Sequence, residues 1–426
     1  MRITISILLF NLFINAQDYT WPTNLGKHLS SNFGEFRPTG YHQGIDLKTK
    51  GTIGHPVYAV SNGYISRIVS NFSGFGRALY LTLEDGQTAV YGHLSKFTPK
   101  LEDRLIEQQE KDQTYITNIF LSPGEFPFDK GDIIAYSGNT GFSFGPHLHF
   151  EIRNKKGQTL NPLTSGLNQE DRLAPLIDEI SFTPLNNESW INGNQLPQKF
   201  PVFRDKKGDY NFPDTINIAG ELGLSIKTYD KRQGANNIYQ PHKIEIYIDG
   251  EKYHSLQFER LDYNWQSTAS YINDYRNYRL NFGNFIKLYQ NEYDPKVPIH
   301  NEITNGIINL SQGYHDIQIL VIDTQENTRR LNGTVFVMDP FDITIVKLGE
   351  TNKLVSFLIQ PKSITIPIQN IYAFSFTPYG YADEKLEIKS SETFESGKVI
   401  TIAKEKVSRK ALQFIAQNAL GTQSKP

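Results

Sequence analysis

Short runs of alternating apolar and polar residues dominate residues 27–165, and this period of two favours β-strands over helices there. Glycine-rich turn sequences separate the runs, as at residues 61–63, 73–76 and 84–86. Strands joined by such turns are typical of antiparallel hairpins. One stretch, residues 99–113, begins with proline and holds helix-forming residues without glycine, so it predicts a short inserted helix. We therefore expect a mainly β chain, with an antiparallel β-sheet domain over residues 17–172.

The rest of the chain also predicts strands, after a boundary near residue 172. Alternating runs such as residues 243–248 and 317–322 recur at a spacing typical of a β-sandwich. We predict a β-sandwich domain over residues 173–340, for which an immunoglobulin-like arrangement is one hypothesis. Further alternating runs predict a C-terminal β-rich region over residues 341–426. The high content of tyrosine and phenylalanine, 23 and 27 residues, agrees with a β-rich protein.

Residues 1–16 have the pattern of a secretory signal peptide. Arg2 precedes an apolar run, and the small residue Ala16 offers a cleavage point. A buried N-terminal strand is the alternative interpretation. The run is too short to span a bilayer, which takes about 20 residues, and no later segment of the sequence is long enough. We expect an exported protein that is periplasmic, associated with the cell envelope, or secreted.

The chain contains 0 cysteines, which limits the chemistry available to it. Disulfides, thiolate metal ligands and a cysteine nucleophile are excluded, so any metal must be held by histidine and carboxylate side chains. The formal net charge of −2 gives no support for binding to nucleic acid or to an anionic membrane.

Five residues in the first 150 could build a metal site. His147 and His149 lie two apart in an alternating run, so their imidazoles project from the same strand face. His42 and Asp46 lie upstream, and His93 lies between. A hydrolytic zinc site needs three protein ligands and one open position. Each pattern alone is weak, because two histidines on a solvated strand face, or one satisfied buried histidine, would look the same.

The order of these residues and their glycine-rich surroundings are more specific. Residues 31–163 resemble the lysostaphin-type (LytM-like) zinc metallopeptidases, which cut peptide cross-links of bacterial cell walls. The matching blocks are residues 31–37 (SNFGEFR), 42–47 (HQGIDL), 56–59 (PVYA), 91–94 (YGHL), 130–135 (KGDIIA), 137–141 (SGNTG), 145–151 (GPHLHFE) and 161–163 (NPL). The resemblance implies that one Zn²⁺ per chain is bound by His42, Asp46 and His149. It also implies that His93 and His147 are the catalytic pair.

Two positions depart from the family pattern. An insertion at residues 95–128 could cover one end of the substrate groove or decorate the surface, and both interpretations stay open. Phe144 stands where a small residue is usual, which predicts a narrower cleft. Glu151 shares the face of His147 and His149, where it could orient a metal-binding histidine or form a plain salt bridge.

Two functional hypotheses follow. The first is an exported zinc endopeptidase that hydrolyses stem or bridge peptides of peptidoglycan. The alternative is a catalytically inactive wall-binding protein that activates or scaffolds another hydrolase. All five site residues are present, which favours the enzyme. The C-terminal β domains are candidates for binding a protein partner.

Overall fold

The computed structural model describes residues 19–297, 299–300, 303–362, 367–376, 382–408, 410–419 and 423–425. The predicted signal peptide, residues 1–16, lies outside the described residues. The chain divides into two compact units. The first contains the described residues up to Leu173 together with Lys231–Gln240 and Phe258–Ser267. The second contains Ala174–Asp230, Pro241–Gln257 and the described residues from Thr268 onwards.

A large antiparallel sheet organises the first unit. Its strands lie in the order Leu29–Ser31, Ile45–Lys48, His147–Arg153, Thr88–Gly92, Ala78–Leu83, Gly63–Ser70 and Thr117–Phe120. Three short strands extend it: Pro127–Phe128 pairs with Gly63–Ser70, and Thr159–Leu160 pairs with both His147–Arg153 and Arg260–Leu261. Two smaller sheets complete the unit, one of Pro56–Tyr58, Ile133–Tyr136 and Lys96–Phe97 and one of Phe36–Arg37 and Gly40–Tyr41.

The central strand (His147–Arg153) shows why alternation selects this sheet. Leu148, Phe150 and Ile152 point into the hydrophobic core and are fully buried. His147 and His149 occupy the opposite face, as the period of two predicts. Burying three large apolar side chains on one face fixes the strand's register, because a slip of one residue would turn the histidines into the core.

The inserted helix runs from Pro99 to Asp112. Gln113 caps its C-terminus in a left-handed conformation with φ of 50°. Leu101 and Leu105, one turn apart, bury its apolar face. The helix contacts the strand Thr117–Phe120, which forms the edge of the large sheet. The insertion at residues 95–128 therefore adds a helix and an edge strand to this sheet.

The second unit is also built from sheets. One contains Gln198–Pro201, Leu176–Pro184, Leu222–Tyr229 and Ile286–Lys287. Another contains Trp190–Ile191, Ile216–Ala219, Thr328–Val337, Gly313–Ile322, Lys243–Ile248 and Glu251–Gln257, with Phe203–Arg204 and Tyr210–Asn211 added. Its short helices are Ala269–Ile272 and Tyr275–Arg279, and the 3₁₀ helix Tyr263–Thr268 begins in the first unit and ends in the second.

The C-terminal part of the second unit has a core of its own. One sheet contains Ile343–Glu350, Leu354–Pro361, Gly397–Ala403 and Ile388–Phe394; the other contains Ala382–Leu386, Ile368–Phe376 and Ala411–Asn418. The helix Lys404–Val407 follows the first of these sheets. Phe357 and Phe414, one from each sheet, pack with ring centroids 5.0 Å apart. The mainly β, antiparallel fold class is confirmed, and an immunoglobulin-like arrangement stays a prediction.

Candidate metal centre

Strand pairing brings the two metal-binding motifs together. In the antiparallel register between Ile45–Lys48 and the central strand, Asp46 lies opposite His149. Gly44 allows the close approach of the preceding loop. A Cβ atom at that position would lie 2.5 Å from the carbonyl oxygen of Phe150 and 2.9 Å from Cε1 of His149. A larger residue at position 44 would therefore push the loop away from the central strand.

The three side chains predicted to bind metal converge on one point. Nε2 of His42 lies 3.1 Å from Oδ1 of Asp46 and 3.2 Å from Nδ1 of His149. Oδ1 of Asp46 and Nδ1 of His149 are 2.8 Å apart. All three residues are buried, and together they form a group that could hold a metal ion.

Hydrogen bonds on the far side of each imidazole select the nitrogen that faces this point. Nδ1 of His42 donates to the carbonyl oxygen of Asn32 at 2.8 Å, which leaves the lone pair on Nε2. Nε2 of His149 donates to Oε1 of Glu151 at 3.0 Å, which directs Nδ1 towards Asp46. Such partners fix the tautomer and the ring orientation of metal-binding histidines.

The electrostatics of the cluster favour an anionic Asp46. Burial by itself raises the pKa of Asp46, but contacts with His42 and His149 outweigh burial and hold this pKa well below its usual range. Nη2 of Arg37 lies 3.1 Å from the second carboxylate oxygen, Oδ2. Burial lowers the pKa of His149, and hydrogen bonds to Asp46 and Glu151 reverse this and raise it to about 9. A metal must therefore displace a proton from His149 when it binds.

His93 and His147 lie beside the cluster, with ring centroids 4.7 Å apart. Nδ1 of His93 donates to the carbonyl oxygen of Thr140 at 2.8 Å, and Nδ1 of His147 donates to that of Gly145 at 2.8 Å. The Nε2 lone pair of each ring is thereby left for other chemistry. Burial and the nearby histidines lower the pKa of His93 to about 4, so it is neutral near pH 7.

The backbone of His93 has a strained conformation, as is typical of functional sites. Its φ of 59° lies in the left-handed region that non-glycine residues rarely adopt. Such conformations cost on the order of 1–3 kcal/mol and cluster at functional sites. The backbone N–H of His93 donates to the carbonyl of Phe75 at 2.8 Å, which helps to hold the conformation in place.

The structure thus brings together all five residues that the sequence singled out. It also shows neighbours of the site to which the sequence assigned no individual role. Among them, Asn32 and Arg37 belong to the matched block 31–37. The ring of Phe75 stacks on His149 at a centroid distance of 4.9 Å. Phe144, three residues before His147 in the chain, is 97% exposed, and its ring centroid lies 5.5 Å from that of Phe142.

Comparisons with known proteins point to the same part of the chain. The model of Peptidase family M23 matches residues 118–162. A relative named "Uncharacterized metalloprotease" from Haemophilus influenzae is 34% identical over 133 residues, which cover 31% of this chain and 22% of the relative. The glycyl-glycine endopeptidase ALE-1 of Staphylococcus capitis is 34% identical over 113 residues, which cover 26% of this chain and 24% of the relative.

Residues 118–162 are therefore similar to peptidase family M23, and the matches to these two relatives cover 31% and 26% of this chain. The predicted resemblance to the LytM-like peptidases is confirmed over this part of the chain. The chain spans about a quarter of the length of these two relatives. This chain is also similar to a crystal structure of the catalytic domain of the prophage-encoded M23 protein EnpA from Enterococcus faecalis, with 26% sequence identity. The match covers 34% of this chain and 98% of the EnpA chain, with a TM-score of 0.25.

Two histidines of the second unit also meet, although the sequence assigned them no role. Nε2 of His254 lies 2.8 Å from Nδ1 of His300. Both side chains are buried. Their spacing in the sequence gave no signal, because they are 46 positions apart and an isolated bridge between Leu256 and His300 brings them together.

Proposed function

We propose that this protein is an exported zinc-dependent endopeptidase that hydrolyses peptide cross-links of bacterial peptidoglycan. The observation that carries the proposal is the convergence of His42, Asp46 and His149, with His93 and His147 beside them. Two neutral nitrogens and one carboxylate oxygen are ligands that zinc prefers, and three protein ligands are typical of catalytic zinc.

The donor set fits one Zn²⁺ ion. Two ligand atoms bound at about 2.0–2.1 Å to one tetrahedral zinc ion are separated by about 3.3 Å. The three atoms of this cluster are separated by 2.8–3.2 Å, so small shifts accommodate the ion. When bound, zinc lowers the pKa of water and polarises the scissile carbonyl.

The chain's own part in hydrolysis is to move protons and to stabilise charge. We assign this role to His93 and His147 jointly. The Nε2 lone pair of one ring accepts a proton from the attacking water, and the imidazolium so formed donates a hydrogen bond to the developing oxyanion. The main-chain carbonyls of Thr140 and Gly145 hold both rings in orientation through Nδ1. Protonated Nε2 then returns the proton to the leaving amine.

The substrate assignment rests on the relatives and on the resemblance of the motifs. ALE-1 is named a glycyl-glycine endopeptidase, an activity on peptide bonds. Export rests on the predicted signal peptide over residues 1–16, and the protein would act in the periplasm, at the cell envelope or after secretion. Among the described residues no helix is long and apolar enough to cross a membrane.

The test is to incubate the full protein with purified peptidoglycan, with added zinc and after chelation, and to identify the released muropeptides by mass. His149→Ala should lose both zinc and activity, whereas His147→Ala should keep zinc and lose activity. His28→Ala removes an exposed histidine and serves as the control. Wild-type protein that binds zinc and releases no new peptide termini would refute the enzyme in favour of the non-catalytic alternative.

A further inference from the structure

A segment more than 90 residues beyond the matched motifs belongs to the first unit. Phe258–Ser267 is part of the first unit, and its strand Arg260–Leu261 pairs with Thr159–Leu160. Thr159–Leu160 in turn pairs with the end of the central strand. The 3₁₀ helix that begins at Tyr263 follows directly, so sheet pairing delivers it to the neighbourhood of Glu151.

Tyr263 contacts the carboxylate that orients His149. Its hydroxyl donates to Oε1 of Glu151 at 2.5 Å, the same oxygen that accepts from Nε2 of His149 at 3.0 Å. Arg153 holds the other oxygen, Oε2, with Nη2 at 2.6 Å. Arg153 also donates to the hydroxyl of Tyr263 at 3.1 Å, and its guanidinium lies 4.8 Å from the ring centroid. Glu151 is therefore fixed from three sides.

Gln266 makes an equivalent contact on the side of His42. Its Oε1 accepts from the backbone N–H of Tyr41 at 2.6 Å, and its Nε2 donates to the carbonyl of Tyr41 at 3.2 Å. Tyr41 directly precedes His42 in the chain. A Cβ atom at Gly40 would collide with the amide of Gln266, which shows how closely the two segments approach.

The two contacts come from one face of a single helical turn, because side chains three apart in a 3₁₀ helix are eclipsed. We propose that Tyr263 and Gln266 are positioning residues that fix the two histidine ligands of the metal site, one through Glu151 and one through the backbone of Tyr41. This inference rests on the proposed zinc function. Loss of partners that orient metal ligands typically weakens metal affinity by about 10- to 100-fold.

The experiment compares the full-length Tyr263→Phe/Gln266→Met double variant with wild type. It measures the zinc dissociation constant by chelator competition, the visible absorption spectrum after Co²⁺ substitution, and the Tm of metal-free protein. Tyr115→Phe/Gln108→Met makes the same chemical changes on the inserted helix and the residues after it, where Tyr115 is 74% exposed, and serves as the control. We expect zinc affinity to fall about 10-fold or more and the Co²⁺ spectrum to change, while the control matches wild type.

The outcomes separate this inference from the proposed function. Wild type that binds no zinc would overturn both. The positioning role alone would be overturned if wild type binds zinc and the double variant binds it with an affinity within about twofold of wild type. The Co²⁺ spectrum of the double variant would then also be unchanged. If the double variant has a lower metal-free Tm than wild type, the single variant Tyr263→Phe is used instead to test the positioning role. It removes one oxygen from a residue that is 42% exposed, and the same affinity criterion applies.

Discussion

The buried pair His254 and His300 should make the second unit sensitive to acid. The residues are 1% and 8% exposed, and Nδ1 of His254 donates to the carbonyl of Thr304 at 2.9 Å. Burial lowers the pKa of His254 from 6.5 to about 4, and burial together with electrostatic interactions with His254 and Lys287 lowers that of His300 to about 3. Both side chains are therefore neutral in the folded protein at pH 7.

The sign of the effect follows from these pKa values. Because both lie below the unfolded value of 6.5, the folded state binds fewer protons than the unfolded state in acid. The stability that the neutral pair provides is complete above pH 6.5 and is lost as the pH falls towards 4 and 3. Acidification to pH 5 should cost about 2 kcal/mol per histidine and about 4 kcal/mol for the pair.

Trp190 provides a local probe for this prediction. It is fully buried in the second unit, whereas Trp21 and Trp265 belong to the first. In a Trp21→Phe/Trp265→Phe background, urea unfolding followed by Trp190 fluorescence at pH 7.5 and pH 5 measures the free energy of unfolding of the second unit.

A His300→Gln variant should regain about 2 kcal/mol of the loss between the two pH values. His315→Gln is the control, because the hydrogen bond from His315 to Asp249 raises the pKa of His315 and its contribution has the opposite sign. Equal losses in wild type and His300→Gln would refute the assignment to this pair.

Three further predictions concern the first unit. Gly44→Ala should displace the loop from the central strand, lower the free energy of unfolding by about 1–3 kcal/mol and weaken zinc binding; unchanged zinc affinity would contradict the close approach. Glu102→Gln should weaken its ion pair with Arg77, whose Nη2 lies 2.6 Å from both oxygens, and should speed hydrogen exchange in the inserted helix; equal exchange rates would argue against this anchor. Phe144→Ser should leave stability within about 0.5 kcal/mol and change KM for muropeptide substrates more than kcat; an unchanged KM would remove Phe144 from the substrate cleft.

Local periodicity predicted the parts of the fold that local chemistry determines. The alternation through the central strand placed Leu148 and Phe150 in the core and the two histidines on the other face, because side chains alternate along any strand. The inserted helix, Pro99–Asp112, lies within one residue of the predicted range, since proline starts it and its residues favour helix.

Contacts between distant segments left no such signal. Tyr263 is 112 positions from Glu151, and nothing in the residues around it has the spacing of a site motif. The sequence also left two interpretations of Glu151 open, and the structure contains both: one carboxylate oxygen accepts from His149 and the other pairs with Arg153. Side-chain pairing of this kind depends on sheet order, which periodicity alone does not determine.

The interrupted course of the first unit has a consequence for the order of events in biosynthesis. Its strand Arg260–Leu261 and the residues up to Ser267 follow the first strands of the second unit in the chain. A polypeptide that emerges from a ribosome or a translocation channel with its N-terminus first cannot complete this unit until residue 267 has followed. The proposed hydrolytic activity would then arise only after the first two segments of the second unit, Ala174–Asp230 and Pro241–Gln257, have left the channel.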